Sequence, residues 1–325
     1  MSRTFNLVIL SDVHYAGPAE RARGDDYEHR DIANPLLRHA FHAYRHFIWM
    51  RHPLRQGGQL DRFLAEVGAA DFAIANGDYS CSSGFVGLSD DAAFQSAVEC
   101  IGKLRAKFGG RLHLTLGDHE LGKLSLIGAR GGMRLAGWHR STGELGIQPF
   151  WQLELGRYVL MGVVSTLIAL PLFEADMLPE ERPAWEKLRA QHLAEIRAAF
   201  AALAPDRRVL LFCHDPTALP FLGREPAVRA RLPQIEQTII GHLHSNLYLW
   251  QSKRLAGMPV IKFLGHIAER MSRALNEARH WRPFKVRLCP SLAGIELLKD
   301  GGYFTVQLDA DARQPAQFIF HRLKR

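Results

Sequence analysis

The chain has 325 residues, long for one domain but within the range of a layered α/β sandwich, so one large domain with insertions is the expectation. Hydrophobic residues make up 47% and charged residues 23%, ordinary proportions for a globular protein able to bury a sizeable core, and no repeat or low-complexity tract interrupts them. The net charge of +8 favours anionic partners such as phosphates, nucleic acid or acidic lipid surfaces, without choosing among them.

Residues 1–10 contain one arginine and an apolar run of about five residues, too short for a signal peptide or a membrane span. Cys81, Cys100, Cys213 and Cys289 lack the close pairing of a zinc site, and a chain this long needs no disulfide framework. A reducing cytoplasm is the expected compartment. Apolar runs at 7–10, 72–75, 112–116, 159–164, 209–213 and 238–240 read as buried strands. Between them, residues 91–108 have helical periodicity, and 179–203 are rich in Ala, Leu, Glu and Arg with Pro183 near the start. After Gly241, pieces at 247–250, 260–263, 294–298, 304–308 and 317–320 predict a closing antiparallel sheet.

Segment 15–70 is much longer than a strand-to-helix connection needs and reads as an inserted cap. Within it, Asn34 and Pro35 suit the N-cap and first position of a helix. At about 100° per residue, Leu36, Leu37, Ala40, Phe41, Tyr44, Phe47 and Ile48 share an arc of about 140°. Arg38, His39, His42, Arg45 and His46 occupy the other side, while Trp49 and Met50 fall outside the arc, beyond the helix or exposed. The plain reading is a cap helix packed on the domain; the functional one is a greasy, basic wall for a lipid-like substrate or a membrane surface. A second basic stretch, 262–290, sets Arg270, Arg273, Arg279, Arg282 and Lys285 against only Glu269 and Glu277, with Ile267, Met271 and Leu275 at helical spacing. It reads as a solvated helix face or a second cap element.

Five short motifs each follow an apolar strand directly: Ser11-Asp12-Val13-His14, Asn76-Gly77-Asp78, Gly117-Asp118-His119-Glu120, Cys213-His214-Asp215 and Gly241-His242-Leu243-His244. Strand ends are where open α/β sheets gather ligand sites. One Asp or His after a strand is ordinarily a turn or cap residue; five such motifs in order predict convergence. Asp and His suit Mn, Fe or Zn, and two ions side by side can clamp a phosphoryl group and activate a water for in-line attack. Cys81 and Cys213 lie near these motifs but read as small buried hydrophobes. His113, His139, His192, His266, His280 and His321 have no ligand spacing and default to surface or core positions.

These five blocks, in this order over residues 7 to about 246, resemble the calcineurin-like metallophosphoesterase family. The resemblance implies a four-layer α/β/β/α sandwich of two mixed β-sheets flanked by helices, one domain over 1–325 carrying an inserted helical cap. It implies that Asp12, His14 and His244 hold one metal ion, that Asp78 bridges, and that Asp118, His214 and His242 hold the second. His119 would contact the substrate or protonate the leaving group, and Glu120 would orient His119. The family usually has Asn where this sequence has Asp118, a change that adds negative charge and removes an amide donor.

The expected activity is therefore hydrolysis of a phosphate ester or phosphoanhydride by a metal-activated hydroxide. The leading specific substrate is a lipid-linked phosphodiester or pyrophosphate, with Phe41, Tyr44, Phe47, Arg270 and Arg273 as contacts and a peripheral position on the inner membrane surface. The rivals are a nuclease or cyclic-nucleotide phosphodiesterase, and a scaffold that kept the fold and lost hydrolysis. Nucleic acid is not the favoured partner.

Overall fold

The computed structural model describes residues 3–125, 130–263 and 265–324; the side chains of His266 and Ile267, two of the positions singled out above, lie outside the described residues. Among the described residues ten strands form two sheets: β1 (Thr4–Leu10), β2 (Phe72–Asn76), β3 (Leu112–Thr115), β4 (Trp151–Leu155), β5 (Tyr158–Val163), β6 (Arg208–Cys213), β7 (Ile235–Ile240), β8 (Val286–Leu288), β9 (Gly302–Asp309) and β10 (Gln317–Arg322). One sheet has the order β10-β9-β1-β2-β3 and the other β4-β5-β6-β7-β8. Each is mixed: β1, β2 and β3 run parallel with β9 and β10 antiparallel beside them, and β5 to β8 run parallel with β4 antiparallel at the edge.

The continuous apolar runs follow from burial on both faces. Leu7 and Ile9 meet Leu160, Leu210 and Phe212 between the sheets, while Val8 and Leu10 face outward and pack with Leu60 and Phe63. Six longer helices among the described residues accompany the sheets: α1 (Pro35–Tyr44), α2 (Gly57–Glu66), α3 (Asp91–Phe108), α4 (Arg182–Ala202), α5 (Asn246–Arg254) and α6 (His266–Glu277). The α3 N-terminus is capped by Asp90, whose carboxylate accepts the Ala93 N–H at 3.0 Å, and the helix stops at Gly109 with φ of 58°. Among the described residues no helix is long and apolar enough to cross a membrane.

The closing sheet differs from expectation. Residues 304–308 and 317–320 lie in the antiparallel strands β9 and β10, but 247–250 belong to α5, and 260–263 and 294–298 form no strand. A run such as Leu247-Tyr248-Leu249-Trp250 reads equally as strand or helix; the deciding signal is Ser245, whose hydroxyl accepts the Leu247 N–H at 3.2 Å as an N-cap. Gly294 has φ of 62° and Asp300 accepts the Ile295 N–H, which makes that segment a turn. Two strands escaped prediction, the edge strand β4, whose alternating Trp151-Gln152-Leu153-Glu154-Leu155 is buried only at its ends, and the three-residue β8.

Within segment 15–70, α2 packs Leu60 and Phe63 into the main core, and so it serves as the crossover helix between β1 and β2. What precedes it stands over the sandwich. Asn34 caps α1 by accepting the Leu36 and Leu37 N–H groups, and a wider turn, Arg45–Trp49, continues the helix. No residue of α1 is fully buried: Phe41 and Tyr44 are half-buried, but the rest of its apolar arc faces outward, with Leu36 80% exposed and, one turn beyond the helix, Phe47 63% exposed. The cap is fastened through its polar side, by Arg45 on Glu28 at 2.7 Å, and by the turn, where Trp49 and Ile48 carbonyls accept the Glu296 and Leu297 N–H groups.

Candidate metal centre

The five motifs sit at the ends of β1, β2, β3, β6 and β7, and their backbones leave the strands in an unusual way. Asp12, His14, Asp78, His242 and His244 all have φ between 47° and 60°, the left-handed region that is unfavourable for residues other than glycine. Neighbouring loops impose it: the Asp12 and His14 N–H groups bond to the Gly77 and Asp78 carbonyls at 3.1 and 3.0 Å, and the His242 N–H donates to Asp12 Oδ1 at 2.9 Å. Gly117 and Gly241 are required by close approach, since a Cβ would collide with the Asp78 carboxylate at the first and with Ser11 and Asp12 at the second.

The turns aim seven side chains into one buried volume. Asp12, His14 and His244 form one group, with His14 Nε2 and His244 Nε2 3.0 Å apart and His244 Nε2 3.3 Å from Asp12 Oδ1. Asp78, Asp118, His214 and His242 form a second, with Asp118 Oδ1 3.0 Å from His242 Nδ1 and 3.3 Å from His214 Nε2. Asp78 joins them: its Oδ2 lies 3.1 Å from His214 Nε2 in the second group and 3.9 Å from His14 Nε2 in the first.

The donor chemistry fits two cations. Asp78 Oδ2, His214 Nε2 and His244 Nδ1 are buried with no directed hydrogen bond, which is costly unless a further partner is present. Burial, with the nearby His119, pushes His14 down to about 3, and burial with His14 takes His244 well below its ordinary range; both therefore offer neutral imidazole lone pairs at pH 7. In the second group burial opposes the charged forms, yet Asp78 and Asp12 hold His214 well above its usual range, and Asp215 and Asp118 raise His242 to about 9. Cations entering there would displace those protons. Carboxylate oxygen and imidazole nitrogen together suit Mn, Fe or Zn.

Outer contacts fix these side chains. Ser11 Oγ donates to Asp12 Oδ2 at 2.5 Å, and His214 Nδ1 lies 2.5 Å from the Asn76 carbonyl, which leaves His214 Nε2 to the site. Glu120 takes a different role from the expected one. It is fully buried, accepts the Gly117, Tyr79 and Asp78 N–H groups at 2.7, 2.8 and 3.1 Å, and ties the β2 and β3 loops together. Burial, then the Asp78 charge, raises its carboxyl to about 8 despite these donors. His119 is oriented instead by the Cys81 carbonyl, 2.9 Å from Nδ1, and its Nε2 points towards Asp78 Oδ2 at 3.9 Å. Its ring sits edge-on to His14, half-buried at the edge of the centre.

The expected substrate contacts are scattered. Tyr44 reaches the centre indirectly: its hydroxyl meets that of Tyr248 at 3.0 Å and its ring lies beside Trp49, which packs on His244. Phe41 packs on Tyr44 and His29, and Phe47 contacts His46 at the surface. Arg270 is held by buried Asp176 at 2.5 Å, and Arg273 pairs with Glu269 on its own helix. Two residues of the site escaped the sequence reading. Trp49 gave no periodic signal, and Lys123, whose Nζ lies 2.5 Å from Asp118 Oδ2, stands alone in a loop. All four cysteines are buried and free.

No protein-family model and no curated protein matches the chain. Among solved structures it is similar to a dimetal phosphatase from Danio rerio, at 14% identity over 97% of this chain and 98% of that one, with a TM-score of 0.46. A purple acid phosphatase from yellow lupin (Lupinus luteus) seeds is similar at 10% identity and a TM-score of 0.42, over 98% of this chain and 54% of that one. A conserved uncharacterized protein from Streptococcus pneumoniae, a predicted phosphoesterase, is similar at 9% identity, covering 99% and 100%, with a TM-score of 0.30.

Proposed function

We propose that the chain is a binuclear-metal-dependent hydrolase of phosphate esters or phosphoanhydrides, of the calcineurin-like metallophosphoesterase kind. The supporting observation is the meeting of the two ligand groups at Asp78 Oδ2, a buried oxygen within 3.9 Å of a histidine from each. Two bound cations would supply Lewis-acid stabilisation of the phosphoryl oxygens and a water acidic enough to attack at neutral pH. Around them, Asp12, His14 and His244 would hold one ion, Asp118, His214 and His242 the other, and Asp78 both. His119, with Nδ1 engaged by Cys81, keeps Nε2 for a leaving-group oxygen. Full-length protein stripped of metal and reloaded with Mn, Fe or Zn is expected to hold near two ions per chain and to cleave phosphoesters only when loaded. Occupancy that never exceeds one ion overturns the reading.

Within that class the reading extends to a substrate with an apolar part, such as a lipid-linked phosphodiester or pyrophosphate, taken from an anionic membrane surface. Its support is the cap: Leu36, Leu37, Phe47, Ile48, Leu297 and Leu298 are exposed, the last four on two turns bonded to each other. Trp49, in the same turn as Phe47, connects this apolar surface to His244. Each further methylene buried there adds about 0.8 kcal/mol, so affinity for phosphoesters is expected to climb with acyl length. Changing Phe41 and Phe47 together to Ser, with circular dichroism and metal content intact, should raise KM for a lipid phosphoester far more than for a soluble one. Equal losses leave a soluble phosphoester as the substrate.

A further inference from the structure

Asp118 divides its two carboxylate oxygens between opposite partners. Oδ1 faces the imidazoles of His214 and His242, at 3.3 and 3.0 Å, in the manner of a metal ligand. Oδ2 faces away from them and meets the ammonium of Lys123 at 2.5 Å. The Asp118 side chain is 3% exposed and that of Lys123 31%, so the pair spans the boundary between the buried centre and solvent.

The loop carrying Lys123 is held in place. After the helical turn Asp118–Leu121, Gly122 turns the chain at φ of 92°, where a Cβ would strike the backbone of Gly132 and Val86. One residue beyond Lys123, the Leu124 N–H donates to Asp176 Oδ2 at 3.0 Å, the same oxygen that holds Arg270.

An ammonium has three N–H donors, and one directed at Asp118 leaves two for an anion at the solvent side of the centre. With Oδ1 turned to the histidines, where it would hold an ion, and the charge on Oδ2 neutralised by Lys123, the pair presents a ligand oxygen inward and donors outward. We propose that Lys123 is a substrate-binding residue that grips the phosphoryl group of the substrate, positioned for it by the outer oxygen of Asp118. The proposal rests on the binuclear reading above.

The test measures two affinities on the full-length chain by calorimetry: Zn for the metal-free protein, then inorganic phosphate for the Zn-loaded protein. Lys123→Met is expected to keep two ions and to weaken phosphate binding on the order of tenfold to a hundredfold, the range of a lost charge-assisted hydrogen bond. Lys123→Arg should retain most of the phosphate affinity. Asp118→Asn, which keeps a ligand oxygen but removes the outer carboxylate charge that holds the ammonium, should keep two ions and weaken phosphate binding. Unchanged phosphate affinity in a two-ion Lys123→Met protein overturns the proposal and leaves the binuclear reading standing. If Lys123→Met does not fold, Lys123→Gln decides, since unchanged phosphate affinity in a two-ion Lys123→Gln protein likewise overturns the proposal. A parent chain that binds no ions removes both readings together.

Discussion

The indole of Trp49 packs against the imidazole of His244 with ring centroids 4.6 Å apart, so the last residue of the cap turn touches a side chain of the candidate metal centre. Tyr248 meets the same indole edge-on at 5.2 Å and, through its hydroxyl, Tyr44. Aromatic packing of this kind adds about 0.5–1.5 kcal/mol beyond burial and restricts ring orientation. Trp49→Ala is expected to loosen His244 and lower occupancy of the ion held with Asp12 and His14, while Trp49→Phe keeps it. Titration with Mn or Zn reads this directly, and full occupancy in the Ala variant with unaltered affinity would show that the contact only covers the site.

Asp78 is where the two groups meet, and its predicted consequence is therefore larger than that of any single histidine. Asp78→Ala should leave the secondary structure near the parent, because its backbone N–H and carbonyl bonds to Glu120 and His14 persist. Its metal content should fall from near two ions to one or none, with loss of phosphoester cleavage. Elemental analysis of the refolding-competent, purified variant makes the comparison. Two retained ions would mean that Asp78 bridges nothing.

For His119 the expectation is a fall in turnover of about 10²–10⁴ on replacement by Ala, the usual contribution of a positioned acid–base group, with two ions still bound. The fall should be steepest for substrates with poor leaving groups, which need the proton. Comparing a phenyl with a nitrophenyl ester tests it, since equal losses for both point to a purely spatial role.

The strands and the polar residues that end them were readable because two constraints coincide there. Strands buried on both faces must be continuously apolar, as at Leu7, Val8, Ile9 and Leu10, so the Asp and His residues that follow stand out. Sequence could not show which oxygen of Asp118 faces Lys123, nor that Glu120 binds backbone N–H groups while the Cys81 carbonyl holds His119. Those partnerships join loops distant in sequence, and no periodicity encodes them. Trp49 was set aside for lying outside the helical arc, yet the wider turn Arg45–Trp49 changes the angular advance per residue and swings it over His244. The apolar arc of α1 was legible as an arc, while its exposure depended on what the remainder of the chain did not place against it.

His192, which drew no functional reading, supplies a prediction independent of the metals. It lies buried on α4, and its Nε2 accepts the Val164 N–H at 3.0 Å at the end of β5. Burial pushes its pKa down to about 4, and a protonated ring would turn a second N–H towards that of Val164. In the unfolded chain the same imidazole titrates near 6.5, so between these values the unfolded state takes up a proton that the folded state refuses. The contribution of His192 to stability is thus fully present above about pH 6.5 and is lost as pH falls towards 4, by up to about 3 kcal/mol. His192→Gln keeps an acceptor for the Val164 N–H without a titrating group. Urea unfolding of metal-free parent and variant at pH 7 and pH 4.5 should show the parent losing about 2–3 kcal/mol more than the variant on acidification. Because both chains carry the same carboxylates and the same metal-site histidines, their acid sensitivity cancels in the difference. Equal losses would mean that the His192 ring reaches solvent readily enough to take a proton in the folded state, against the burial that its contact with Val164 implies.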